Sequence, residues 1–140
     1  MLKVEDLYVG YYRDINILQG VHLTADASKV TCVIGPNGVG KSTLLKTIYG
    51  FLVPNKGEIT FKDRSIIGLK PHELVTLGLF YIPQHQSVFR YMSVEENLLL
   101  GAWSFRRDKR KVRTRLDQNF QRFPLLRDRR RSNCLLYTSP

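Results

Sequence analysis

The stretch from Gly35 to Thr43 constrains the fold of this chain more than any other. It lies between an apolar run at 30–34 and the helix-forming residues 44–48. Its residues are Gly35, Pro36, Asn37, Gly38, Val39, Gly40, Lys41, Ser42 and Thr43. A glycine, four residues and then Gly-Lys-Ser between a strand and a helix form the phosphate-binding loop pattern, in which glycines let successive backbone amides converge on a phosphate.

This pattern predicts a site for the phosphates of a nucleotide. We expect Lys41 to place its charge between the β- and γ-phosphates and the Ser42 hydroxyl to be available to Mg²⁺. The start of the following helix adds a partial positive charge. The alternative is a strand-turn-helix corner that uses its glycines only to turn.

The net charge of +10 is concentrated in the last quarter of the chain. Residues 1–104 hold 10 Lys and Arg against 9 Asp and Glu, whereas residues 105–140 hold 12 against 3, which leaves +9 there. A helix in this basic region could be a solvated face, or it could attract anionic lipid headgroups or an acidic partner. A nucleic-acid-binding role is less favoured because few aromatic residues are interleaved with the charges.

Composition also bears on location and metal content. At 140 residues and 43% hydrophobic content, the chain has the size of one domain with a core. No apolar run approaches the roughly 20 residues of a membrane-spanning helix, and no signal-peptide pattern opens the chain, so we expect a cytoplasmic protein. Cys32, Cys134 and His72 stand at no metal-ligand spacing.

Periodicity and turn signals predict five strands and four helices. We expect an edge strand at 3–9, further strands at 17–25 and 58–61, and buried strands at 30–34 and 79–82. The helices are expected from the phosphate loop to Gly50 with Leu44, Leu45 and Ile48 on one face, from Pro71, from a Ser93–Glu96 capping box to Trp103, and from Arg106 to Phe120.

Two further residues lie in loops where a ligand could bind, although composition alone marks Gln84 only as a polar loop residue. Tyr12 lies in the loop at 10–14, where its ring could stack on a base or pack on the sheet edge. Pro83 ends a predicted strand and places Gln84 in the following loop. In open α/β sheets, ligands bind at that edge.

Together these residues resemble the ATP-binding subunit of ABC transporters. The phosphate loop, Tyr12 upstream of it and Gln84 within Tyr81-Ile82-Pro83-Gln84 match three markers of that family in order. Within the family, the sequences at 68–73, 88–98, 101–103 and 123–131 are similar to those of subunits that energise importers of branched-chain amino acids. The resemblance spans residues 2 to about 131.

The resemblance implies an α/β fold of the ABC-type P-loop NTPases, with a parallel-sheet core, an antiparallel β subdomain and the start of a helical subdomain, truncated. It implies a nucleotide-binding core and β subdomain at 1–90 and a helical subdomain that starts at 91–131. Its cofactors would be ATP and Mg²⁺. Tyr12 would stack on adenine, 35–43 would hold the phosphates, and Gln84 would sense the γ-phosphate and join Ser42 at Mg²⁺.

The resemblance also implies a location and partners. An ABC importer subunit would lie on the inner face of the membrane, bound to permease subunits and to a second ATP-binding subunit. A periplasmic binding protein would take part indirectly. No nucleic-acid partner is expected.

The chain departs from the family pattern after Gln84. The Leu-Ser-Gly-Gly signature, the apolar run that ends in aspartate, the catalytic glutamate and the switch histidine are all absent, so no catalytic residue is present. We therefore expect weak ATP binding and negligible turnover by these 140 residues. Residues 132–140 are expected to be a non-native tail, because 134–140 resembles translated sequencing-adapter sequence. The alternative function is a non-hydrolytic nucleotide-binding or regulatory module.

Overall fold

The computed structural model describes residues 1–10, 15–84 and 88–134 and divides into two compact units, Met1–Tyr81 and Ile82–Pro140. The first unit contains β1 (Leu2–Val9), β2 (Leu18–Ala25), α1 (Lys41–Ile48), β3 (Lys56–Phe61), β4 (Arg64–Ser65) and α2 (Pro71–Leu77). The second contains α3 (Val94–Gly101), a 3₁₀ turn (Trp103–Phe105), α4 (Lys109–Arg122) and α5 (Pro124–Asp128). Across the described ranges, no helix has both the length and the apolar character that crossing a bilayer requires.

The sheet of the first unit is antiparallel, with strand order β2-β1-β3-β4. β1 was predicted at an edge, and that prediction is wrong: Val4 pairs with Leu23 of β2 on one side and with Ile59 of β3 on the other. Both neighbouring strands follow within 60 residues of β1. The β1 side chains Val4, Leu7 and Val9 are buried in the core of the unit. An interior strand satisfies its backbone groups on both sides, which makes β1 the centre of the unit.

Helix α1 packs its buried face into the core of the first unit. The core consists of Val4, Leu7, Val9, Leu18, Leu44, Ile48, Ile59, Ile66 and Leu74. Leu44 and Ile48 are buried as predicted, whereas Leu45 is exposed. Thr47 takes the fourth inward position, and its hydroxyl donates to the carbonyl of Thr43 at 2.8 Å. The helix ends before Gly50, whose φ of 74° is the left-handed conformation expected after a helix.

Two of the predicted strands do not form within the described residues. The apolar runs at 30–34 and 79–82 have no regular secondary structure and pair with no described strand. Four of their apolar side chains are largely exposed: Val30 is 91% exposed, Ile34 90%, Phe80 65% and Ile82 83%. Leu79 is half-buried against the core of the first unit. Apolar composition indicated burial, but a parallel strand is stabilised only by neighbours that are distant in sequence. None of the described residues supplies such a neighbour.

In the second unit, side-chain caps set where the helices begin. The predicted capping box is confirmed: Ser93 Oγ accepts from the Glu96 amide at 3.2 Å, and Glu96 Oε2 accepts from the Ser93 amide at 2.8 Å. α3 ends at Gly101, short of the predicted Trp103. The predicted helix from Arg106 instead begins after Asp108.

Asp108 begins α4 because its carboxylate accepts from the Lys111 amide at 2.9 Å. This cap satisfies one of the free amides of the first turn. At its other end the helix continues past the predicted Phe120 to Arg122 and stops before Pro124, which begins α5.

The segment at 130–134 runs back to the start of α3. The amides of Val94 and Glu95 donate to the carbonyls of Ser132 and Arg130 at 3.1 and 3.0 Å, and Arg130 also pairs with the Glu95 carboxylate. These main-chain bonds place no demand on side-chain identity at 132–134. The predicted non-native tail begins in this segment, and its residues 135–140 lie outside the described residues.

Candidate phosphate-binding site

The loop before α1 turns through two glycines with left-handed backbone angles. Gly38 has φ 85° and Gly40 has φ 99°. A Cβ on Gly38 would meet nothing within 4 Å, so its glycine serves the backbone angle alone. A Cβ on Gly40 would lie 2.7 Å from Leu18 Cδ2 and 3.3 Å from Ile17 Cγ2. The loop thus rests directly on the start of β2.

Ile17 and Leu18 support the loop, and sequence reasoning missed this role. Their only signal was apolar character in a predicted strand. Leu18 is buried in the core, which fixes the surface against which Gly40 packs. The position of the loop therefore depends on the antiparallel sheet.

Lys41 lies across the loop. Its ammonium donates to the carbonyls of Gly35 and Pro36, both at 2.7 Å. A lysine ammonium has three N–H donors, so one remains for a further acceptor. The charge is held at the loop by two fixed contacts.

The first turn of α1 presents backbone amides without competition from side chains. The N-cap Gly40 provides no side-chain acceptor, and the first turn contains no acidic residue. Residues 35–39 and Ser42 are exposed. Free amides, the helix dipole and a fixed ammonium at one exposed place make a site suited to an anion.

Thr43 anchors the end of the loop to the core, and its side chain does not lie on the solvent-exposed side of the loop. Its side chain is buried, and its carbonyl accepts from Thr47. Together with Leu44 it fixes the first turn of the helix to the core.

The structure brings the loop residues together but does not test the other two candidates. Gln84 is an exposed residue at a bend in the second unit, and its side chain makes no hydrogen bond to another described residue. Tyr12 lies outside the described residues.

Mg²⁺ fits this site only together with a bound phosphate. No group of three His, Cys, Asp or Glu side chains in the described ranges is arranged to hold a metal ion. Ser42 offers one exposed hydroxyl oxygen, and Mg²⁺ in proteins is typically held by a carboxylate, phosphate oxygens and water. The hydrogen-bond donors of the loop suit an oxyanion. A cation would bind here only by contacting that oxyanion as well.

A sequence profile described as ABC transporter matches residues 18–134, which include the whole phosphate loop and helices α1 to α5. The chain belongs to this family. The resemblance predicted from the sequence is therefore confirmed.

Two curated relatives show how far the sequence likeness extends. The chain is 39% identical over 127 residues to a protein of Archaeoglobus fulgidus named "Probable branched-chain amino acid transport ATP-binding protein", covering 91% of this chain and 52% of that protein. It is 35% identical over 99 residues to a lipopolysaccharide export system ATP-binding protein of Acidithiobacillus ferridurans, covering 71% and 41%. The chain thus spans about half the length of the relatives that it matches.

A solved structure of the family confirms the fold class. The crystal structure of the ADP conformation of an ATP-binding cassette of an ABC transporter superimposes with a TM-score of 0.79 at 26% identity. The match covers 99% of this chain and 59% of that one.

Proposed function

We propose that this chain is the nucleotide-binding part of an ATP-hydrolysing subunit of an ABC importer. The observation that carries the proposal is the loop at 35–43, where left-handed glycines, a fixed ammonium and uncapped helix amides coincide at one exposed place. The names of the relatives above, both ATP-binding proteins, support the choice of nucleotide.

Each site residue has a proposed role. The amides of 38–42 bind the β-phosphate, Lys41 neutralises the β- and γ-phosphates, and Ser42 and Gln84 complete the shell of a phosphate-bound Mg²⁺. Tyr12 stacks on adenine. In-line attack of water on the γ-phosphate, helped mainly by positioning and charge neutralisation, is the reaction of the whole subunit.

Branched-chain amino acids are the proposed solute. The name of the Archaeoglobus fulgidus relative supports this, whereas the lipopolysaccharide export relative shows that similar chains serve other solutes. Adjacent genes for two permeases and a periplasmic binding protein would support amino-acid import. Adjacent genes for lipopolysaccharide export would contradict it.

We further propose a peripheral location on the inner face of the cell membrane, with permease subunits and a second ATP-binding subunit as partners. The proposed parts are the nucleotide-binding core and β subdomain at 1–90, the start of a helical subdomain at 91–131 and a non-native tail at 132–140.

The 140 residues alone are proposed to bind ATP weakly and to hydrolyse it negligibly. A metal-ligand carboxylate and a glutamate that polarises water are needed for turnover, and among the described residues no three His, Cys, Asp or Glu side chains are placed to hold a metal ion. That observation favours the second candidate, a non-hydrolytic nucleotide-binding module, for the chain at this length. ATPase activity that disappears in Lys41→Ala would contradict both statements.

Thermal unfolding with MgATP, MgADP or AMP tests the proposal. A ligand at ten times its Kd stabilises the folded state by about 1.4 kcal/mol, so ATP and ADP should raise the Tm and AMP should not. Lys41→Ala should abolish the response. Lys46→Ala is the matched control, because Lys46 is an exposed lysine in the last turn of the same helix.

Two results would overturn nucleotide binding. One is an unchanged Tm in a chain whose circular dichroism shows the folded sheet. The other is an equal response in the Lys41 and Lys46 variants.

A further inference from the structure

The basic residues of α4 are exposed and unneutralised. Ion pairs of the second unit's described residues join Arg127 with Asp128 and Arg130 with Glu95, and none involves α4. The six exposed basic residues of this helix are Lys109, Arg110, Lys111, Arg113, Arg115 and Arg122. Asp117 is the one acidic residue of the helix, so six cations face a single carboxylate there. A surface with this excess of positive charge attracts anions over about 8–10 Å at physiological salt.

The charges flank an apolar stripe of α4 that packs within the second unit. Val112, Leu116 and Phe120 recur at four-residue spacing, Phe120 is buried, and α4 packs against α3. Since side chains advance by about 100° per residue, Lys111 and Arg115 project from the same flank of the stripe. The apolar stripe stabilises the unit, and the basic flank remains free for a partner.

One flank forms an open depression suited to oxyanions. Its volume is about 430 Å³, and it is lined by Asp108, Arg110, Lys111, Thr114, Arg115 and Gln118. The Asp108 carboxylate is engaged in capping the helix. Three cations, a hydroxyl and an amide surround this shallow space with that one carboxylate, and the cations supply charge-assisted donors for phosphate oxygens.

Exposed apolar side chains lie just before and just after α4 in the chain. Trp103 is 62% exposed, and the Arg106 guanidinium stacks 4.2 Å from the centre of its ring. Phe123 and Leu125 are exposed beyond the other end of the helix. Tryptophan with arginine at the boundary of a basic helix is the composition of surfaces that lie at the headgroup level of a bilayer.

We infer that α4 and the segments that adjoin it, from Trp103 to Leu125, bind the surface of an anionic phospholipid bilayer. The charge complements anionic headgroups, and Trp103, Phe123 and Leu125 can enter the interfacial layer. A nucleic-acid surface would use flat rings between the charges, whereas Leu125 is aliphatic and the aromatic residues stand at the ends. The inference is independent of nucleotide binding.

Vesicle binding by the full chain tests the inference. Trp103 is the chain's one tryptophan, so its emission reports this region alone. Vesicles of phosphatidylcholine with about 30% phosphatidylglycerol should shift the emission to the blue and co-sediment the chain at low salt. Phosphatidylcholine alone should do neither, and 0.5 M salt should release the chain, because the Debye length falls to a few ångströms.

A triple variant, Arg110→Gln with Lys111→Gln and Arg115→Gln, should weaken vesicle binding on the order of 100-fold. The matched control replaces Lys29, Lys46 and Arg64, exposed basic residues of the first unit, with glutamine and changes the net charge equally. It should bind vesicles nearly as the unchanged chain does. Circular dichroism confirms that both variants are folded.

Several results would overturn the inference. No binding to phosphatidylglycerol vesicles at low salt would do so, as would equal binding by the triple variant. A blue shift with inorganic phosphate alone would indicate a small-anion site, and binding to duplex DNA but not to vesicles would indicate a nucleic-acid surface.

Discussion

The antiparallel sheet of the first unit and the apolar runs at 30–34 and 79–82 have similar composition but opposite surroundings. Val4, Leu7 and Ile59 in the sheet are buried, whereas Val30, Ile34 and Ile82 in the runs are exposed. The sheet forms because each of its strands has an antiparallel partner within the first unit. The runs have no such neighbour among the described residues.

The difference shows that the burial of an apolar segment depends on whether a partner covers it, and not on its composition alone. An apolar segment lowers the free energy only where a partner removes it from water. The phosphate loop stands between the two cases, since one run precedes it and α1, which packs on the sheet, follows it. Its geometry is fixed from the helix side, by Gly40 against Leu18 and by Thr43 in the core.

Truncating one side chain in each region gives the largest expected contrast. Leu7→Ala should lower the free energy of unfolding by about 2–5 kcal/mol, because it empties a fully buried position. Ile34→Ala should change it by less than about 0.5 kcal/mol, because the side chain is already in water. Urea unfolding followed by circular dichroism measures both, and equal losses would remove the contrast.

Two glycines of the loop sharpen the comparison at intermediate size. Both Gly38→Ala and Gly40→Ala incur roughly 1–2 kcal/mol of left-handed backbone strain. Gly40→Ala should lose a further 1–3 kcal/mol or so, since its Cβ would press on Leu18. The same urea titration separates them. A Gly38 variant as unstable as the Gly40 variant would show that the sheet does not support the loop.

The capping box gives the smallest expected effect, and it depends on pH. Hydrogen bonds from the backbone and hydroxyl of Ser93 hold the pKa of the Glu96 carboxyl below its usual value. The contribution to stability is therefore complete above about pH 4.3, the ordinary value, and is lost as pH falls through the lowered pKa.

Glu96→Gln should remove that part of the acid dependence, as followed by helix circular dichroism between roughly pH 6 and pH 2. Ser93→Ala should remove the same part, so the double variant should resemble either single variant. Additive effects of the two would contradict a shared cap.

Local signals predicted much of the fold. The Ser93 capping box, Gly50 after α1 and Pro71 at the start of α2 were readable because each acts through its immediate neighbours. Asp108 was missed as a helix start, because the basic run before it carries the same helical composition. The interior place of β1 was not readable, because strand order depends on contacts between distant segments.

The candidate site likewise has parts that local sequence predicted and parts that depend on tertiary contacts. The loop pattern is local, and the structure gives it the expected backbone turns and a fixed lysine. The support from Ile17 and Leu18 is a tertiary contact without a sequence signature. Gln84 and Tyr12 remain predictions, since their roles depend on a nucleotide and on chain segments beyond their own loops.

Amide hydrogen exchange with and without MgATP tests the central claim most directly. We predict that the amides of 38–42 exchange slowly only when the nucleotide is present, while β1 is protected throughout and 30–34 exchanges rapidly in both states. Unchanged exchange at 38–42 under saturating MgATP, in a chain whose β1 amides are protected, would contradict the claim that this loop binds nucleotide phosphates.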